Sequence, residues 1–299
     1  MCAMTPAIAA LLCCCAAAWV GAASPAVPPE PSAPSLLYHP LQFDKRPPEA
    51  LAREAAGLIK AGRYLRAEPY LERRLELVRT QPTRYGYAQR SAALSELAAL
   101  YALEGRQNEA EELYDDAWDI LRPALGLDHP SVLRLADAMA ELYREQGRWL
   151  RSDDLQRRTL ELRERRFGLD HPEVADSVDH LGRLMRDMGR YGDSEALLRR
   201  ALAIRTRVFG AKSAQAALTL RDLASLCRAQ RRLGEAEELY RRALAALQKT
   251  LGPEHPETAE TMAGLAVVLR ETGEPTEAAA LEAAADKTRA LLARDGAEP

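Results

Sequence analysis

From Tyr85 to Ala293 the apolar residues keep helical spacing in paired runs, and the pairs recur with a period of 42 residues. The phrases Leu125-Gly126-Leu127-Asp128-His129-Pro130, Phe167-Gly168-Leu169-Asp170-His171-Pro172 and Leu251-Gly252-Pro253-Glu254-His255-Pro256 stand in register, and Phe209-Gly210 marks a degenerate copy. A second break inside each period, at Gly105, Gly147, Gly189 and Gly273, predicts that each repeat is a helix hairpin. Proline in a first helical turn gives up no hydrogen bond, and glycine ends the preceding helix in a left-handed conformation. Arg231 stands where the other hairpins have glycine, so the sequence predicts a turn rerouted toward Gly234.

The columns of the repeat say how the two helices meet. The first helix carries Leu97, Met139, Leu181, Leu223 and Leu265, followed by the small residues Ala98, Ala140, Gly182, Ala224 and Ala266, then Leu100, Leu142, Leu184, Leu226 and Val268. The second helix answers with Ala110, Ser152, Ser194, Ala236 and Ala278, and with Ala117, Thr159, Ala201, Ala243 and Ala285. Facing small residues let two helices pack nearly backbone to backbone. An earlier copy is expected from Pro48 to Thr80, where Gly62-Arg63-Tyr64 with Ala67 and Tyr70 repeats the hairpin break.

This layout resembles the tetratricopeptide repeat, and Glu235-Ala236-Glu237-Glu238-Leu239-Tyr240-Arg241-Arg242-Ala243-Leu244 looks like its second helix. The 42-residue length and the Leu-Gly-x-x-His-Pro junction resemble the kinesin light chain type of that repeat. The resemblance implies an all-α fold, a right-handed superhelical solenoid of helix hairpins with five clear repeats and a sixth at the N-terminal end. It also implies that the first helix of each hairpin lines an inner groove.

Mapped onto that groove, one column reads Ala102, Arg144, Arg186, Arg228 and Arg270. A second reads Ser95, Asp137, Asp179, Arg221 and Ala263, and a third Ala99, Glu141, Arg183, Ser225 and Val267. Arginine repeated at one position could hold carboxylates along a polypeptide ligand through charge-assisted, forked hydrogen bonds. The bland alternative is a solvated face on which Arg144 pairs with Glu141 or Glu145 and Arg186 with Asp187, each pair worth at most about 1 kcal/mol. Peptide-binding repeats of the resembled type hold the ligand backbone with asparagine, whereas this chain has Asn108 alone, so that mode does not carry over.

The N-terminal sequence differs from the rest. Met1 to Ala23 has no charged side chain and an apolar run from Ala7, and Gly21-Ala22-Ala23 supplies small residues ahead of Ser24. Residues 1–23 are therefore expected to be a cleaved signal peptide, giving an exported, periplasmic or secreted bacterial protein, with lipid anchoring at the Cys13 to Cys15 run as the alternative. Residues 24–47 are proline-rich and read as a linker, 48–293 as the solenoid and 294–299 as a disordered tail. Cys227 is then the one cysteine of the mature chain, read as a small buried apolar residue, so no intramolecular disulfide is expected.

Composition narrows the function. The 41 basic and 44 acidic residues nearly cancel, and bases alternate with acids rather than forming a stripe, which argues against nucleic acid. No nucleophile arrangement or phosphate loop stands out. His129, His171 and His255 are spread one per repeat, so neither metal nor cofactor is expected. The sequence reads as a non-enzymatic scaffold or adaptor for a partner protein or peptide, with a self-associating subunit of an envelope complex as the alternative and an enzyme behind both. The Ala-rich final helix, Thr276 to Ala293, is where a second copy is expected to cover the array.

Overall fold

The computed structural model describes residues 46–60, 63–81 and 84–295, which form twelve α-helices and no strand. The expected signal peptide, the cysteines within it, most of the linker, Gly62 and residues 296–299 lie outside the described residues. The chain divides into two compact units inside one helix, the first running to Leu142 and the second from Tyr143 to Leu291.

The first unit holds α1 (Pro48–Lys60), α2 (Tyr64–Thr80), α3 (Tyr87–Leu103), α4 (Gln107–Leu125) and most of α5 (Pro130–Glu145). Here α1 packs on α2, α2 on α3 and α3 on α4, so each helix meets its neighbours in sequence. The second unit holds α6 (Trp149–Phe167), α7 (Pro172–Asp187), α8 (Tyr191–Phe209), α9 (Ala214–Ala229), α10 (Leu233–Thr250), α11 (Pro256–Thr272) and α12 (Pro275–Asp295) as far as Leu291. The same order holds from α6 to α11, and α9 also touches α7 and α11, so first helices of successive hairpins stand side by side.

Small residues set the closeness of each hairpin. Ala110, Ser152, Ser194, Ala236 and Ala278 are all fully buried. A Cβ added to Gly182 would lie 2.8 Å from Leu198, and one added to Gly264 would lie 2.6 Å from the Tyr240 ring. The Ser194 hydroxyl donates to the Gly182 carbonyl at 2.7 Å, which satisfies that polar atom inside the interface. Between hairpins the seam is leucine: Leu160 packs on Val174 and Leu181, Leu202 on Leu223 and Leu226, and Leu244 joins the core around Leu265 and Leu269.

At α12 that seam changes character. The position of Leu160, Leu202 and Leu244 is taken by Asp286, whose side chain is 71% exposed. The position of Leu198 and Tyr240 is taken by Glu282, which pairs with Arg270. The outer edge of α12 is therefore polar where interior helices are apolar, the character of a capping element.

The turns repeat as closely as the helices. At Gly105 (φ +81°) the N–H donates to the Ala102 carbonyl at 3.1 Å, and the following Arg106 N–H donates to the Tyr101 carbonyl at 2.8 Å, the double bond of a Schellman ending. Arg231 makes the same ending: its φ is +64°, it donates to the Arg228 carbonyl at 2.9 Å, and Arg232 donates to the Cys227 carbonyl at 2.9 Å. The rerouting toward Gly234 expected from the sequence does not occur. Two backbone hydrogen bonds hold the turn in place, and the left-handed strain of about 1–2 kcal/mol is accepted instead.

The junction histidines are helix caps. The N–H groups of Ser131, Glu173 and Glu257 donate to Nδ1 of His129, His171 and His255, each at 3.2 Å. In the degenerate junction Ser213 does this work, accepting from the Ala216 N–H at 3.2 Å.

Two outcomes are expected. Arg231→Gly removes the strain, loses an exposed contact to Glu271, and should raise stability by about 0.5–1 kcal/mol in denaturant unfolding. His255 is held below the usual histidine range by burial, against the pull of Glu257. Its folded state then binds fewer protons than its unfolded state, so its contribution is complete above the unfolded value and is lost as the pH falls through the folded one. His255→Ser should keep the cap and flatten that slope in thermal melts taken across mildly acidic pH.

Candidate functional site

On α7 the residues Asp179, Arg183 and Arg186 fall at i, i+4 and i+7, which puts them on one stripe of the helix. The buried Val178, Leu181 and Met185 occupy the neighbouring stripe and anchor α7 in the core. Arg221, Ser225 and Arg228 repeat the polar stripe on α9, and Ala263, Val267 and Arg270 on α11. Because α9 touches both α7 and α11, these stripes share one face of the second unit.

Every arginine of the predicted ladder is already paired within the chain. Arg144, which belongs to the second unit, is buried and pairs with Asp187. Arg186 takes the same carboxylate at 2.9 Å, Arg228 lies 3.6 Å from Glu271, and Arg270 pairs with Glu282. Arg186 with Asp187 is the pairing anticipated as the bland alternative, and Arg144 reaches one hairpin ahead to the same carboxylate. Asp137 and Glu141 lie in the first unit, both buried.

Beneath the ladder lies a layer of buried charge. Asp179 accepts from Arg205 at 3.0 Å and lies 3.7 Å from Arg183. Arg205 also donates to Asp176 at 2.7 Å and to the Thr219 hydroxyl at 2.5 Å. Arg221 pairs with Glu257, bonds Glu260 at 2.9 Å, and stands 3.8 Å from Asp222. One Glu260 oxygen, Oε1, is buried with no hydrogen-bond partner.

Burial drives the titration of this layer. It pushes the Asp222 carboxyl up to about 6, with Asp179 adding to the rise and Arg221 opposing it. It pushes Glu260 up to about 7 against the pull of Arg221. Burial acts on Asp179 in the same sense, but the charges of Arg205 and Arg183 outweigh it and hold the carboxyl below its usual range.

In most pairs of the face the base lies outward of the acid. Side-chain exposure is 42% for Arg228 against 26% for Glu271, 56% for Arg270 against 30% for Glu282, and 16% for Arg221 against 4% for Glu257. The surface thus offers guanidinium edges over a floor of carboxyls. Among the described residues no group of histidine, cysteine, aspartate and glutamate is placed to hold a metal ion.

The tetratricopeptide repeat family profile matches residues 89–165, 135–207, 177–249 and 215–285, together more than half of the sequence. The chain belongs to the tetratricopeptide repeat family. Solved structures place this tetratricopeptide repeat protein beside kinesin light chain-like members. BtubC (BKLC) of P. vanneervenii is 23% identical with a TM-score of 0.56, over 84% of this chain and 94% of its own. TPR-like repeats of Podosopora anserina, described as a kinesin light chain, are 25% identical with a TM-score of 0.53, over 69% of this chain and 97% of theirs. NprR in complex with its cognate peptide NprX shares the fold at 17% identity and a TM-score of 0.55, over 75% of this chain and 65% of that one. No curated protein sequence matches at a significant level.

The three columns read along the first helices leave out Arg205, Asp222, Glu257 and Glu260. Arg205 stands on a second helix, in the column of the buried Leu121 and Leu247. A charge recurring at a core position, as Arg163 and Arg205 do, was the available signal. Arg205→Ala should cost about 3–5 kcal/mol in denaturant unfolding, because it strands buried Asp179. Arg228→Ala, removing a loose exposed pair, should stay within about 1 kcal/mol.

Proposed function

We propose that this tetratricopeptide repeat protein is an interaction adaptor, and that the face made by α7, α9 and α11 holds a polypeptide partner. The observation that carries the reading is the layering of that face, with Arg221, Arg228 and Arg270 over carboxyls that keep the guanidinium groups oriented, and Arg186 beside them on Asp187. Planar donors fixed in this way meet a ligand carboxylate or carbonyl with little further loss of side-chain freedom. NprR, which holds a peptide on the same fold, supports a polypeptide as the ligand class.

The uncharged residues 1–23 support an exported setting in a bacterium, periplasmic or secreted, where the partner would be met. The competing assembly reading relied on the Ala-rich outer edge of α12. Asp286 and Glu282 on that edge favour a capped array over a self-covering one.

The test is affinity capture from an envelope extract with the full chain and with a variant carrying Arg186, Arg228 and Arg270 all changed to Ala. A partner retained by the unaltered chain and lost by the variant, with unchanged circular dichroism, is the expected result. The same partner held equally by both would put the binding surface elsewhere.

A further inference from the structure

Two carboxyl groups in the floor of the α7–α9–α11 face are built to carry protons. Asp179 of α7 and Asp222 of α9 are both buried; Asp179 accepts from Arg205 at 3.0 Å, whereas Arg221 stands 3.8 Å from Asp222, beyond hydrogen-bond reach, and a buried carboxyl answered that loosely is held more cheaply as the neutral acid. On α11, Glu260 keeps one buried oxygen with no donor, an arrangement far more costly for an ionised carboxylate than for a neutral acid. Neither group is needed to close a helix end or a turn.

We propose that this face takes up protons together with an acidic polypeptide segment, so that binding strengthens as the solution goes from neutral to mildly acidic. The inference rests on the reading of this face as the partner site.

The surrounding charges set the sign. From α7, Asp176, His180, Arg183 and Arg186 face the Asp179–Asp222 pair, and from α8 Arg205 does. On α9, Arg221 is shared among Asp222, Glu257 and Glu260. From α12, Arg289 acts on Glu260. With Asp222 and Glu260 ionised, the Arg221 guanidinium is engaged by internal carboxylates, and the floor repels an anionic ligand. Each proton removes one negative charge from the floor and frees hydrogen-bonding capacity on the arginines above it. Burial raises both carboxyls into the neutral to mildly acidic range, where such protons are exchanged.

The experiment uses the full chain and a rhodamine-labelled oligo-aspartate peptide, which stays ionised at both about pH 7.5 and about pH 5.5, at one ionic strength. Fluorescence anisotropy is expected to show roughly tenfold or more tighter binding at the lower pH. The double variant Asp222→Asn with Glu260→Gln mimics the protonated floor. It should bind at the higher pH as the unaltered chain does at the lower, with little pH dependence. Calorimetry on the unaltered chain in two buffers of different ionisation enthalpy should show net proton uptake on binding, a readout that does not depend on the variant folding.

Binding that is independent of pH, a folded double variant that keeps the original pH dependence, or binding without proton uptake would each overturn the proposal. No binding at either pH would overturn it as well. The adaptor reading would then still be decided separately, by whether a captured partner is lost with Arg186, Arg228 and Arg270.

Discussion

The close approach of the two helices in each hairpin is the constraint on which everything else in this chain depends. Ala110, Ser152, Ser194, Ala236 and Ala278 are fully buried because anything larger would push the hairpin apart, and Gly182 shows how little room remains, since an added Cβ would meet Leu198. A repeat that closes in only one way stacks in only one way. In the second unit the first helices α7, α9 and α11 then come into contact at a fixed register, and residues separated by 42 positions become neighbours on one surface. Without that register the arginine, aspartate and glutamate columns would be scattered charges.

The fold was legible in the sequence because each of its devices is local and repeated. Hairpin glycines, junction prolines and small columns each appear several times, so a single degenerate copy such as Phe209-Gly210 is corrected by its neighbours. Where one copy departs alone, repetition misleads. Arg231 looked incompatible with a left-handed turn, but the turn is set by the hydrogen bonds of Arg231 and Arg232 to the preceding helix, and these tolerate a strained residue. The capping role of the histidines was hidden for the opposite reason. Three similar junctions showed the histidines one per repeat, and the acceptor geometry of Nδ1 cannot be read from a spacing.

The site was legible only to the depth of its outermost layer. Columns on the first helices located Arg144, Arg186, Arg228, Arg270 and Asp179, yet the pairing partners come from elsewhere: Asp187 and Glu271 from helix ends, Glu282 from α12, and for Asp179 the Arg205 of the neighbouring second helix. Charge at a core position is expensive unless it is answered by charge or by hydrogen bonds. Arg205 is answered three times, by Asp176, Asp179 and Thr219, and so joins two first helices through one side chain of a second helix. Sequence columns list the members of such a network but do not say which column answers which.

Depth also separates the arginines by what they can do. Arg205 and Arg221 each hold a buried carboxylate, Asp179 and Glu257, and Arg144 is itself buried, so breaking those pairs leaves an uncompensated charge in the interior. Arg228 and Arg270 sit half in solvent, where an internal ion pair is worth about 1 kcal/mol or less and a ligand carboxylate can exchange for the internal one at little cost. The first group holds the hairpins in register; the second can change partners without disturbing it. Neutralisation of a binding surface by its own chain is therefore no obstacle to recognition, provided that the pairs nearest the ligand are the weak ones. In this chain the pairs weaken from the floor outward, which leaves the exposed guanidinium edges oriented and exchangeable at once.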